Sequence, residues 1–200
     1  MTKIAVIYYS ATGTVHEIAK EIAAGAEAAG AEVRLRRVEE LAPAEAIATN
    51  EGWQQHVNEV HPTVEVATLD DLEWADGIAL GAPTRYGLPA AQLKQFIDTT
   101  GPLWAEGKLV NKAATAFTSA MTTHGGLEST ALAISNTFYH WGSIIVPPGY
   151  STPELYAAGF PYGVAAYTGE LNEKTVAGAR SQGGRLTDIA SKLAGVPVNA

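Results

Sequence analysis

Apolar positions along this chain follow two periods in turn. Ile4-Ala5-Val6-Ile7-Tyr8-Tyr9 is an unbroken apolar run, β-branched and aromatic, as expected of a central parallel strand covered on both faces. It ends in the polar stretch Ser10-Ala11-Thr12-Gly13-Thr14. After it Val15, Ile18, Ala19, Ile22, Ala23, Ala26 and Ala29 recur at helical spacing, opposite His16, Glu17, Lys20 and Glu21, with Gly30 as the stop. Glu32 to Val38 alternates, which predicts an edge strand with one wetter face. Three further short strands are predicted over 77–81, 113–118 and 142–147, and helical patterns follow around Leu93 to Ile97, Ala131 to Trp141, and Asn172 to Leu193. From Glu39 to Asp71 the pattern loosens into a surface excursion in which Trp53 is expected to cover its own core. Five strands alternating with helices predict an α/β domain spanning 1–200, with a doubly wound parallel sheet and helices on both faces.

Ligands of such sheets bind outside the carboxyl ends of the strands. Three loops after strands carry unusual chemistry. The first, Ser10 to Val15, opens a helix, where free backbone N–H groups and the positive end of the dipole gather, and Ser10, Thr12 and Thr14 add hydroxyls; a phosphate suits the place. It lacks the lysine of a G-x-x-x-x-G-K-[ST] loop and the repeated glycines of G-x-G-x-x-G, which argues against ATP and against a dinucleotide at this loop. A compact monophosphate held by hydroxyls and amides remains, and the pattern Ser10-x-Thr12-Gly13-Thr14 resembles the flavodoxin loop for the FMN phosphate; the plainer reading is a Ser/Thr-capped turn. The second loop, Pro83-Thr84-Arg85-Tyr86-Gly87, is rigid and polar at once, and the third, Ser119-Ala120-Met121-Thr122-Thr123-His124-Gly125, is again small and hydroxylated. The last two can flank a flat ring system and offer backbone groups to its polar edge.

Composition narrows the chemistry. Lys+Arg number 13 against 21 Asp+Glu, a net charge of −8 that argues against nucleic acid or an anionic membrane as partner. With no cysteine, redox work needs a bound cofactor, and the chain fits a cytoplasmic setting with no signal peptide and no membrane insertion. No metal site is expected.

Several stretches together resemble one family. They are Tyr8-Tyr9-Ser10 with Gly13, Pro83 to Gly87, Gly101-Pro102-Leu103-Trp104, Gly125-Gly126-Leu127-Glu128-Ser129-Thr130, His140-Trp141-Gly142, Pro148-Gly149-Tyr150 and Pro161-Tyr162-Gly163. The chain is similar over nearly its whole length to the WrbA-type NAD(P)H:quinone oxidoreductases. That resemblance implies a flavodoxin-like fold with strand order 2-1-3-4-5, FMN, homotetramers, and two-electron transfer from NAD(P)H to a quinone. In its terms Ser10, Ala11, Thr12, Gly13, Thr14 and Val15 would hold the FMN phosphate. Pro83, Thr84, Arg85, Tyr86, Gly87 and Ser119 through Gly125 would surround the ring, Trp104 would face the stacking side, and His140 would reach the site. Trp104, Arg85 and His140 are the catalytic candidates, and one slot used in turn by nicotinamide and quinone implies ping-pong kinetics. Two departures stand out: Thr12 where the family often has a tyrosine, and a third loop with fewer glycines. The alternative activity for the same fold is a flavodoxin-like single-electron carrier serving a protein partner.

Overall fold

The computed structural model describes residues 1–194. In chain order they form strand β1 (Lys3–Tyr8), helix α1 (Thr14–Ala28), β2 (Glu32–Arg37), then α2 (Ala44–Ile47), α3 (Glu51–Glu59) and α4 (Leu69–Trp74) within the excursion. Next come β3 (Gly77–Arg85), β4 (Leu88–Pro89), α5 (Ala91–Asp98), α6 (Gly101–Ala105), β5 (Ala113–Ala120) and α7 (Leu127–Trp141). The last described elements are β6 (Ile144–Ile145), α8 (Pro153–Ala158), β7 (Ala165–Tyr167) and α9 (Glu173–Leu193).

The sheet has seven strands, which corrects the expected five. A parallel path runs β2-β1-β3-β5-β6, while β4 folds back antiparallel on β3 and β7 lies parallel along β5. The two additions were hidden for different reasons. β4 contains Pro89 and only two residues, too few for a periodic signal. β7 sits in the Gly- and aromatic-rich stretch that reads as loop, and it exists because β5 is long enough to pair with it at Thr118 to Ala120.

Every residue of β1 from Ile4 onward is buried, for the reason its apolar run predicts. Ala5, Ile7 and Tyr9 join one core with Leu80, Leu93, Ile134 and Phe138. Ile4, Val6 and Tyr8 join the other, with Ile18, Ile22, Phe117 and Leu186. Helices α1 and α9 cover this second face and touch backbone to backbone: a Cβ on Gly25 would stand 2.0 Å from the Arg180 carbonyl oxygen, and one on Gly183 2.0 Å from that of Ile22. Only glycine permits that crossing.

The excursion is anchored rather than loose. Glu40 accepts hydrogen bonds from Tyr9 Oη (2.8 Å) and Trp53 Nε1 (2.9 Å) on one oxygen, and from Gln92 Nε2 (2.8 Å) and the Leu41 and Ala42 amides (2.9 Å each) on the other. Burial alone would push this carboxyl up, but the donors from Ala42, Gln92, Tyr9 and Trp53 outweigh it and hold it below the usual carboxylate range. Trp53 packs against the core as expected, and its indole ties α3 to the end of β1.

Candidate functional site

The loops after β1, β3 and β5 converge at the carboxyl edge of the sheet and enclose a cleft of about 480 Å³. Their positions follow from the register: Tyr8 pairs with Gly81 and Pro83 with Ser119, so the three strands end side by side. Ser10, Ala11, Thr12, Thr14, Val15, Pro83, Thr84, Arg85, Tyr86, Ser119, Ala120, Met121, Thr122 and Gly125 line it, joined by Asn50 and Thr168. No carboxylate is among them, and Arg85 brings a cation, in a chain of net charge −8. Such a donor-rich, acid-free lining suits an anionic, acceptor-rich ligand.

The first loop has the shape its sequence predicts. Gly13 takes φ 98° at the N-cap of α1, a backbone conformation that side chains resist, and its amide donates to Ser10 Oγ at 3.1 Å. Buried Thr14 accepts from the Gly169 amide at 2.9 Å, which pins the segment after β7 against the loop and carries Thr168 to the cleft. In the second loop Thr84 Oγ1 accepts from Thr130 Oγ1 (2.8 Å) and from the Gly87 amide (3.1 Å), so Gly87 supports the turn without lining the cleft. Tyr86 has φ 55° and is fully exposed. A bulky side chain is rarely held in the left-handed region without a role for its placement; here the turn leaves the ring free at the cleft mouth.

Some sequence-predicted residues lie elsewhere. Thr123 and His124 sit on the exposed tip of the third loop, outside the cleft lining. Trp104 and His140 are together, the indole Nε1 donating to the His140 carbonyl oxygen at 2.9 Å, but they line a second, mostly apolar cleft of about 590 Å³ among α5, α6 and α7. The two clefts share no lining residue. Asn50 and Thr168 escape a reading of the sequence because each is delivered by a segment whose placement is decided by contacts far along the chain. A clue to Asn50 was its place before a helical piece: it caps α3, accepting from the Trp53 amide at 3.0 Å.

The cleft fits FMN on the observations that test it: a helix N-terminus with hydroxyls and a glycine turn for the phosphate, and two loops without acids for the ring. No helix among the described residues is long and apolar enough to cross a membrane.

Residues 2–155 match the family model described as NADPH-dependent FMN reductase. The chain is 42% identical to the NAD(P)H dehydrogenase (quinone) of Deinococcus radiodurans over 196 residues, covering 96% of this chain and 98% of that protein. It is 43% identical over 195 residues to the protein of the same name from Archaeoglobus fulgidus, covering 96% of this chain and all of that one. In fold it resembles the flavodoxin-like WrbA-like protein of Agrobacterium tumefaciens, with a TM-score of 0.68 at 24% identity over 96% of this chain and 99% of that one. The chain therefore belongs to the NADPH-dependent FMN reductase family and, within it, groups with the NAD(P)H dehydrogenase (quinone) proteins.

Proposed function

We propose that the chain is an FMN-dependent oxidoreductase that transfers two electrons from NAD(P)H to a quinone. The observation that carries this is the acid-free cleft at the carboxyl ends of β1, β3 and β5, in a chain whose relatives matched over nearly their full length are named NAD(P)H dehydrogenase (quinone). Bound FMN supplies the redox chemistry; the protein supplies binding, orientation and electrostatics. Ser10, Thr12, Thr14 and the amides around Gly13 would hold the phosphate. Pro83 to Tyr86, Ser119 to Thr122 and Gly125 would flank the ring, with Arg85 as the cation of the lining to favour negative charge on it. Thr12, where the family this chain resembles often has a tyrosine, leaves more room at the mouth than that ring would, and nicotinamide affinity is the property it bears on. The working compartment is the cytoplasm.

The separation of Trp104 and His140 from this cleft bears on assembly. The chain forms a homotetramer in which the Trp104–His140 patch of one copy covers the FMN cleft of another, so that the slot for nicotinamide and quinone is completed between chains. Trp104 is 59% exposed, a large apolar surface of the kind that marks interfaces. One stacking slot used in turn gives ping-pong kinetics.

The first test is the absorbance spectrum after FMN addition and removal of excess: one flavin per chain is expected, and a colourless protein refutes the reading. Steady-state NAD(P)H oxidation with a soluble benzoquinone should give parallel double-reciprocal lines, whereas intersecting lines refute the shared slot. Trp104→Ala should lower quinone kcat/KM with FMN retained. Light scattering that shows an active, flavin-loaded monomer overturns the assembly. A reductive titration that accumulates a one-electron species would favour the carrier function instead.

A further inference from the structure

The excursion brings to the phosphate loop a side chain that the loop's own sequence does not contain. Gly52 of α3 lies against Thr12, and one turn later the His56 ring lies against Gly13, its Nδ1 3.7 Å from the point where a Cβ on that glycine would stand. His56 is only 6% exposed, yet among the described residues neither ring nitrogen has a hydrogen-bond partner in the protein, and no buried polar atom is sealed from solvent without one. His56 lines a hollow of about 350 Å³ together with Thr12, Gly13, Thr14 and His16, and the carboxylates Glu17 and Glu59 line it as well. Thr12 and Thr14 border both this hollow and the main cleft, so the two meet across the loop.

Buried histidines in native proteins are hydrogen-bonded as a rule, and the neighbour obeys it. His16, 7% exposed, shares a hydrogen bond between its Nδ1 and Tyr8 Oη, which leaves its Nε2 for the hollow. The two rings meet edge to face with centroids 5.7 Å apart, and His61 follows at 5.4 Å from His56. No group of three or more metal-ligating side chains is assembled among the described residues. A hydrogen-bond acceptor brought from outside is the partner that an N–H at this place lacks.

We propose that His56, backed by His16, is a phosphate-binding residue that donates a ring N–H to the phosphomonoester of FMN at the N-terminus of α1. This rests on the FMN assignment above and adds to it a donor from outside the Ser10–Val15 loop. Fixed by Asn50 and by the Trp53–Glu40 hydrogen bond, α3 makes the excursion part of the cofactor site. The charges around His56 are mixed: His16 and Glu17 on α1, Arg37 at the end of β2 and Glu40 after it, His61 beyond α3, and Glu59 on α3 itself. A phosphate dianion is the charge that offsets the cost of bringing a proton to this ring.

The test uses the full chain stripped of flavin and titrated with FMN and with riboflavin, which lacks the phosphate, by quenching of flavin fluorescence. Wild type should prefer FMN strongly. His56→Phe, which keeps a ring of similar size and removes both nitrogens, should weaken FMN roughly 10- to 100-fold, the worth of a charge-assisted hydrogen bond, and leave riboflavin within about twofold. His56→Asn, which keeps an N–H donor, should recover part of the loss. An unchanged ratio of FMN to riboflavin affinity in His56→Phe overturns the proposal while leaving the FMN enzyme intact. NADPH carries a phosphomonoester as well, so an NADPH KM that rises against that of NADH, with the flavin ratio kept, moves His56 to the nicotinamide nucleotide and also overturns it. Wild type that binds no FMN overturns both readings.

Discussion

Replacing Glu40 by Gln leaves the side chain's shape and removes its charge, so it isolates what the carboxylate does. Five donors converge on it: one oxygen serves Tyr9 and Trp53, the other Gln92 and the amides of Leu41 and Ala42. With the amide oxygen turned to the last three, the new NH₂ faces the Trp53 indole N–H and orphans it, while the Tyr9 hydroxyl can turn and accept. An orphaned donor costs about 1–3 kcal/mol, and three bonds lose their charge assistance at about 1 kcal/mol each. Discounted for the half-exposed position, the loss is about 2–4 kcal/mol, or a melting temperature lower by roughly 5–12 °C for a chain of this size. Differential scanning calorimetry at pH 7 measures it. The carboxyl is held below its usual range in the fold, so its stabilisation is present above the unfolded value near 4.5 and fades as the pH falls through the folded one; the gap between wild type and variant should close in acid. A variant melting within about 1 °C of wild type at pH 7 would refute the anchoring role.

Three other outcomes are expected. Burial, the main cause, pushes His16 and His56 down to about 4 each, so the unfolded chain binds more protons between about pH 6.5 and 4 and stability is lost as pH falls through that window; flavin-free protein should lose on the order of 2 kcal/mol per histidine in a denaturant series, with the loss smaller in His56→Phe. Gly183→Ala would stabilise an isolated helix by about 0.5–1 kcal/mol, but here the added carbon meets the Ile22 carbonyl at 2.0 Å, so the fold should lose about 2–3 kcal/mol, read from chemical denaturation. Replacing Ser10 and Thr12 together by Val should weaken FMN by at least tenfold relative to riboflavin, and equal weakening of both would place the phosphate elsewhere.

The α/β class, the central strand and the three loops were legible because each rests on local information. A strand buried on both faces must be apolar throughout, as Ile4 to Tyr9 are; a loop that serves a helix N-terminus must be small and hydroxylated, as Ser10 to Thr14 are. That these loops meet also followed, since parallel strands with right-handed crossovers bring their carboxyl ends to one edge. What local pattern could not convey is which distant segment fills a gap. Glu39 to Asp71 has weak periodicity because its helices are short and its placement depends on one partly exposed carboxylate and one indole, an interaction of single atoms that leaves no repeat in the chain. The same holds for β7, whose pairing with β5 delivers Thr168, and for Trp104 and His140, whose neighbouring positions on α6 and α7 put them on a different face from the cleft. Periodicity records which way a residue points relative to its own element. Only the packing of elements decides what it points at, and His56 against Gly13 is an interaction made wholly at that level.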